Sequence, residues 1–382
     1  PRVLVHLRDL SAQPLSRTSG TAPVLPILIH SSFPAMDHPL HLLDRIDRWA
    51  ALCPGRTAVW SGNRKLTWAE LVAQSDALAL WLEAELEGKP GPVAVHGHKE
   101  PEMLVAFLAA TKCGRAYVPM DVNIPEQRIA KIVAGSGAAL VLTPESVRQK
   151  LETLPSAAGH RPTRRVDGTD PFYILFTSGS TGEPKGVVIT LANLEAFTGW
   201  MFSEQPFESE AEVFLNQAPF SFDLSVMDLY CSLLSGGTLV CVTKDELGNL
   251  KALYARLAES GVTTWVSTPS FAQMCLIEKG FRQEMLPSLR RFLFCGETLA
   301  PETASQLLER FPETEVWNTY GPTEATVATT SVRVDRALLE AHSPLPVGYP
   351  MPGTRVLAVD AALVPVAEGE RGEILIAGPN VS

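Results

Sequence analysis

Short apolar runs alternate with helix-patterned segments along most of this chain, and that alternation limits the fold more than any single motif. Val93 to His96 reads as a strand, Met103 to Lys112 as a helix that Gly114 ends, and Ala139 to Leu142 as another strand. Ala252 to Glu259 has helical spacing, while Thr264 to Ser267 and Arg291 to Phe294 are again strand-like. Such a sequence builds parallel sheets covered by helices, an α/β architecture. From about Leu345 the pattern changes to short strands among prolines and glycines (Arg355 to Val359, Glu373 to Ala377), which predicts a small, mostly β subdomain. With 382 residues, 46% of them hydrophobic, the chain can bury an extensive core divided into two or three domains or subdomains.

The expected boundaries follow. Pro14, Pro23, Pro26 and Pro34 punctuate the first 35 residues, so 1–35 is expected to be a disordered tail or a mis-assigned start. Structure is expected from Met36, ahead of a helical face formed by Leu42, Leu43, Ile46 and Trp49. The α/β core then covers 36–344, and 345–382 begins the small β subdomain. The strand Glu373 to Ala377 runs into Gly378-Pro379 and stops, so the chain reads as a fragment.

Charge and cysteines narrow the class of function. A net charge of −10 argues against a nonspecific grip on nucleic acid or an anionic membrane, although a local site can still take an anionic ligand. The six cysteines (Cys53, Cys113, Cys231, Cys241, Cys275, Cys295) form no C-x-x-C pair and sit mostly in apolar stretches, which fits reduced thiols. No apolar run approaches the roughly 20 residues that span a bilayer. The start lacks the regions of a signal peptide. A cytoplasmic protein is expected, with no nucleic-acid partner and no membrane insertion.

The run Phe176-Thr-Ser-Gly-Ser-Thr-Gly-Glu-Pro-Lys-Gly186 carries the most chemistry. It places three glycines, four hydroxyl residues and one lysine between the apolar runs Phe172 to Phe176 and Val187 to Ile189, both read as buried strands. Backbone N–H groups, hydroxyls and a lysine in one turn suit the phosphates of a nucleotide. The spacing excludes a Walker loop, because Lys185 lies between Pro184 and Gly186 with no Ser or Thr after it. It also excludes a Gly-x-Ser-x-Gly elbow. A solvated Gly/Ser hairpin is the plain alternative.

Other segments complete a pattern. Lys112-Cys-Gly-Arg-Ala-Tyr-Val-Pro-Met-Asp121, the phosphate loop, Asn318-Thr-Tyr-Gly-Pro-Thr-Glu324 and Gly372-Glu-Ile-Leu-Ile-Ala-Gly378 resemble, in order, the core motifs of adenylate-forming enzymes. That superfamily holds the acyl-CoA synthetases, the luciferases and the adenylation domains of nonribosomal peptide synthetases, and the resemblance covers about Pro39 to Ser382. It implies the large N-terminal domain of that fold, with two helix-covered β-sheet subdomains plus a small β subdomain. Phe214 to Asp228, Ser267-Thr-Pro-Ser-Phe271 and Phe292-Leu-Phe-Cys-Gly-Glu297 resemble more closely the D-alanine–D-alanyl carrier protein ligases, which load D-alanine onto a carrier protein for esterification of teichoic acids.

The resemblance implies a two-step reaction. A carboxylate attacks the α-phosphate of ATP to give an acyl-adenylate, and the phosphopantetheine thiol of a D-alanyl carrier protein then takes the acyl group. Thr177, Ser178, Gly179, Ser180, Thr181, Gly182 and Lys185 would engage the β and γ phosphates. Glu324 would hold Mg²⁺, a hard ion that accepts one carboxylate plus phosphate oxygens. Thr323 would donate to the α-phosphate. Asn318, Thr319, Tyr320, Gly321 and Pro322 would form the adenine side, with Gly296 and Glu297 close to the nucleotide. Tyr320 alone is equally an ordinary turn with a packed aromatic, and Gly296 an ordinary turn glycine.

Asp223 would pair with the substrate's α-ammonium. Its apolar neighbours Pro219 to Phe222 demand a cationic partner or several hydrogen bonds. The alternative is a helix N-cap before Leu224 to Leu229. Alignment with adenylation domains gives Leu224, Met227, Ser270, Leu293, Cys295, Thr319, Val327 and Ala328 as the lining, mostly apolar and suited to a small side chain such as that of alanine. By the same resemblance Cys295 lies near the substrate methyl and would crowd an L side chain more than a D one. Its alternative is a small buried hydrophobe. A ribose-binding aspartate, a hinge and a small domain with the main catalytic lysine, all present in the family, do not occur in this chain. The fragment is therefore expected to turn over weakly or not at all, and to be a monomer. Rival readings are a peptide-synthetase adenylation domain for another small amino acid and a non-catalytic nucleotide-binding core.

Overall fold

Strand ends rather than helices decide where this molecule does its work. The computed structural model describes residues 3–5, 40–157, 159–178, 183–207, 212–367 and 369–382. Among them three sheets form, with nine, five and three strands. From one edge the largest runs Tyr349–Pro350, Thr330–Val334, Glu315–Tyr320, Arg291–Phe294 and Thr264–Ser267. It continues through Val213–Asn216, Thr238–Cys241, Thr57–Ser61 and Arg64–Thr67. The five-stranded sheet is ordered Leu140–Leu142, Val93–Gly97, Tyr117–Asp121, Pro171–Ser178 and Pro184–Thr190. The α/β class read from the alternation is the class that forms.

The nine-stranded sheet is antiparallel at both edges and the five-stranded sheet at its Pro184–Thr190 edge alone, while the other neighbours are parallel as the alternation predicts. Pro171–Ser178 with Pro184–Thr190, Glu315–Tyr320 with Thr330–Val334 and Thr57–Ser61 with Arg64–Thr67 are all antiparallel. The reason is local. These pairs have no helix-length crossover between them, and a short connection returns a strand only antiparallel.

The predicted tail over 1–35, and the predicted start at Met36, lie outside the described residues except for Val3–Val5. That segment pairs antiparallel with Glu373–Ala377, which also pairs with Arg355–Val359. Ile374 and Ile376 pack this small sheet onto Ala325 and Val381, with Tyr320 at the margin.

Helices are fixed at their starts by side chains. Thr67 with Glu70, and Thr190 with Asn193, form reciprocal caps for Trp68–Glu85 and Leu191–Glu204. Pro101–Lys112 is buried all round, because it is enclosed by other elements instead of facing solvent along one side. No helix among the described residues is long and apolar enough to cross a membrane.

The two large sheets present the carboxyl ends of their parallel strands toward one region, the usual position of a ligand site in such sheets. Lys99, two residues past Val93–Gly97, ties them together. Its Nζ donates to Asn216 Oδ1 and to the Ala218 carbonyl, and lies 4.5 Å from the Phe220 ring centre. Asn216 Nδ2 donates in turn to Asp228 Oδ1 at 2.9 Å. Burial pushes the Lys99 ammonium down and the Asp228 carboxyl well up, each partly countered by the other's charge. Removing one member of such a group strands the rest. Lys99→Ala is therefore expected to lose about 3 kcal/mol in urea unfolding, against under about 1 kcal/mol if the lysine were a passive filler.

Candidate active site

Two cavities open where the strand ends meet. The larger, about 610 Å³, is lined by Thr177, Asp223 and Thr323 together with Asp121, Asn123, Arg128, Ser221 and Phe222. The second, about 260 Å³, is lined by Gly296, Glu297, Asn318, Thr319, Tyr320 and Gly321, with Leu345 and Val347 opposite. All but two of the predicted nucleotide residues outside the glycine-rich loop fall in the second cavity. Thr323 belongs to the first, and neither cavity is lined by Pro322 or Lys185.

The described flanks of the glycine-rich run pair antiparallel. Thr177 lies opposite Lys185 and Ser178 opposite Pro184. Lys185 is exposed, and the neighbouring Glu183 pairs with Lys131 at 2.7 Å, which straps helix Glu126–Ser136 to the hairpin. Gly179, Ser180, Thr181 and Gly182 lie outside the described residues.

Asp223 and Thr323 meet across a hundred residues of sequence. Thr323 Oγ1 donates to Asp223 Oδ2 at 2.8 Å. Asp223 occupies the N-cap position of Leu224–Ser235, yet its backbone is helical and its side chain makes no capping bond. The cap alternative is thus the position without the function. Among the described residues no basic side chain pairs with Asp223. Burial raises its carboxyl above the ordinary 3.8, with the Glu324 charge adding to the rise. The bond from Thr323 and the amides of Leu224 and Asp223 pull it back. Glu324 is half-buried in the single turn Thr323–Ala325 and makes no side-chain hydrogen bond or ion pair among the described residues.

The predicted lining divides. Leu224, Met227, Leu293, Cys295, Val327 and Ala328 share one apolar cluster. Thr319 is buried beside them, its Oγ1 donating to Phe294 O at 2.9 Å. Ser270 is exposed at the start of Pro269–Cys275, its amide donating to Glu297 Oε2 at 3.1 Å, so it stands outside that cluster. It was placed among the lining by alignment with adenylation domains, which carries no information on its exposure in this chain. Burial pushes the Cys295 thiol up to about 11, which leaves a neutral filler and no nucleophile.

Two glycines are required by geometry. Gly296 has φ +85° where the chain turns off strand Arg291–Phe294. A Cβ on Gly321 would stand 2.7 Å from Ala328 Cα. Tyr320 Oη is buried without a partner, and burial raises its pKa to about 12. Asn318 Nδ2 donates to Pro346 O at 2.9 Å.

Sequence reasoning assigned no site role to Asp121, Asn123, Arg128 or Ser221. Asp121 had a signal, as the last residue of a strand leading into a loop. His98 Nδ1 lies 2.6 Å from its Oδ2, and burial of the Asp121 carboxyl is outweighed by bonds from His98 and Asn123, which lower its pKa. Arg128 carries no such signal, being one charge on a helix.

This architecture is that of the large domain of adenylate-forming enzymes. A model of the AMP-binding enzyme family matches residues 46–382. The D-alanine–D-alanyl carrier protein ligase of Bacillus cereus is 45% identical over 361 residues, covering 90% of this chain and 71% of that protein. Its counterpart in Bacillus mycoides is 44% identical over 359 residues with the same coverage. Among solved structures, the Klebsiella oxytoca NpsA N-terminal subdomain in complex with 3-hydroxyanthranilyl-AMSN is similar with a TM-score of 0.76 and 26% identity, over 89% of this chain and 87% of that one. The chain belongs to the AMP-binding enzymes and, within them, to the family of the D-alanine–D-alanyl carrier protein ligases.

The raised Asp223 carboxyl has a stability consequence. It favours the folded state below the ordinary value of 3.8, and that contribution is lost as pH rises through the raised value. Asp223→Asn keeps an acceptor for Thr323 but cannot ionise. It is expected to stabilise the ligand-free protein by about 1 kcal/mol at about pH 7 and to have little effect near about pH 4, measured by urea unfolding. Equal destabilisation at both would contradict a desolvated carboxylate.

Proposed function

We propose that this chain activates D-alanine with ATP as D-alanyl-adenylate and passes the acyl group to the phosphopantetheine thiol of a D-alanyl carrier protein, for D-alanylation of teichoic acids in the cytoplasm. One observation carries the substrate class: a desolvated carboxylate, Asp223, faces a cavity without a basic partner among the described residues. An α-ammonium supplies that charge. A fatty or aryl acid would leave it unpaired.

In the first half-reaction the amino acid's carboxylate attacks the α-phosphorus, forming a mixed anhydride as the bond to pyrophosphate breaks. In the second, the thiol attacks the carbonyl carbon and AMP leaves. The first step brings two anions together, and in the second the thiol gives up its proton as the AMP anion departs, so donors placed beforehand are the main contribution of the protein. Thr323 holds Asp223 and points its turn at the α-phosphate. Thr177, Ser178, Gly179, Ser180, Thr181, Gly182 and Lys185 cradle the β and γ phosphates. The adenine enters the smaller cavity against Tyr320 and Asn318, flanked by Gly296, Glu297, Thr319, Gly321 and Pro322.

Glu324 suits Mg²⁺, which takes one or two carboxylates plus phosphate oxygens and water. No cluster of three or more metal-ligating side chains occurs among the described residues, so the donor set fits an ion brought with the nucleotide. When bound it would neutralise charge on the phosphates. The substrate methyl rests on the cluster of Leu224, Met227, Leu293, Cys295, Val327 and Ala328, with Thr319 beside it. Ser270, being exposed, contributes at the entrance.

Calorimetric titration with non-hydrolysable D- and L-alanyl-adenylate analogues tests this. The D analogue is expected to bind about tenfold tighter, roughly 1.4 kcal/mol, and Cys295→Ala to reduce that preference. Equal or L-favouring binding would overturn the assignment and promote an adenylation domain for another small amino acid.

A further inference from the structure

Two consecutive buried residues of the turn after Thr323, one of them Val327 of the proposed lining, hold a backbone conformation that β-branched side chains resist. Thr326 has φ +50° and Val327 φ +70°. Such strain persists only where the surroundings over-determine it. The turn lies between Glu324 and Ala328, so its shape sets the position of the Glu324 carboxylate and of Val327 and Ala328, two residues of the proposed lining.

What holds it comes from the far end of the chain. Asn380 is fully buried. Its Nδ2 lies within reach of three acceptors on the turn: Ala325 O at 2.7 Å, Thr329 Oγ1 at 3.0 Å and Ala328 O at 3.4 Å. Its carbonyl accepts from Thr326 Oγ1 at 2.7 Å, and its Oδ1 from Thr354 Oγ1 at 3.3 Å. Ser382 N adds a bond to Glu324 O at 2.8 Å. The flanking carbonyls of Pro379 and Val381 accept from Asn193 Nδ2 at 2.9 and 3.1 Å. Asn193 is the N3 partner of the cap residue Thr190 in helix Leu191–Glu204, which follows the phosphate hairpin.

We propose that Asn380 is a positioning residue for the amino-acid pocket: its buried amide locks the left-handed turn at Thr326 and Val327, and through that turn it sets the discrimination between D and L substrates. It touches no substrate. A side chain with two N–H groups and one carbonyl is needed, since the turn offers acceptors and Thr354 a donor. Aspartate supplies no donor and alanine neither group. The proposal rests on the alanyl-adenylate reading for its probe, while its backbone readout does not.

The test uses Asn380→Ala, Asn380→Asp and the milder Thr354→Val, which removes only the bond to Asn380 Oδ1. Calorimetry measures the Kd of the D- and L-alanyl-adenylate analogues and of AMP, and hydrogen exchange follows the amides of residues 326 to 329. Both Asn380 variants are expected to bind the D analogue about tenfold more weakly, to keep AMP affinity within about twofold, and to move the D:L ratio toward one. The turn amides exchange faster in both. Thr354→Val shifts the ratio and the exchange in the same direction by less, and it decides the matter if the Asn380 variants fail to fold. Unchanged D:L ratio and unchanged exchange in a folded variant overturn the proposal, even if Tm falls. Equal losses for AMP and the D analogue overturn it too, since they mark general damage. Should the wild type bind neither alanyl analogue, the substrate reading fails, and the exchange rates still judge the role of Asn380.

Discussion

The hydrogen bond from Thr323 Oγ1 to Asp223 Oδ2 is the contact on which the site depends. It joins the start of helix Leu224–Ser235 to the turn that follows strand Glu315–Tyr320, and so fixes the distance between the proposed ammonium partner and the proposed phosphate donors. A desolvated carboxylate held only by neutral donors, the Thr323 hydroxyl and two backbone amides, is a costly arrangement. It is tolerable in a ligand site, where the missing positive charge arrives with the substrate. In the absence of substrate that cost appears as the raised Asp223 carboxyl.

The surrounding structure holds this contact still from several sides. Lys99 anchors the loop through Ala218 and Asn216, linking the two large sheets below the cavity. Residues 379–382 brace the turn after Thr323 from the other side. Between them the apolar cluster around Met227 and Cys295 gives a floor without charge. Strain at Val327 and desolvation at Asp223 fall within five residues of Thr323 or in contact with it. Local rules are thus broken together, at the place where a ligand would repay the cost.

How much of this was legible depends on whether the signal was local. Strands Thr264–Ser267, Arg291–Phe294, Arg355–Val359 and Glu373–Ala377 appear where apolar runs between turn residues placed them, because side-chain alternation and turn chemistry are short-range properties. The alternation speaks for the parallel centres and not for the antiparallel edge pairs, since direction depends on connection length and not on strand composition. At Asp223 the sequence left cap and ligand open, and only the helical backbone at that residue removes the cap. Ser270, placed in the lining by alignment with adenylation domains, is exposed. Lys99, Arg128 and Asn380 had no local signature. Their importance comes from partners or cavities more than 40 residues away, such as the 117 residues from Lys99 to Asn216. Gly179, Ser180, Thr181 and Gly182, central to the sequence argument, lie outside the described residues.

The most direct measurement compares two analogues that differ only in the amine, D-alanyl-adenylate and propionyl-adenylate, each made non-hydrolysable and titrated into the wild type and Asp223→Asn. The amine is expected to add at least about tenfold in affinity to the wild type, as a charge-assisted bond in a desolvated site should, and this gain to disappear in Asp223→Asn. Equal binding of the two analogues by the wild type would contradict it, because Asp223 would then be a buried structural carboxylate with no part in recognising an amino acid.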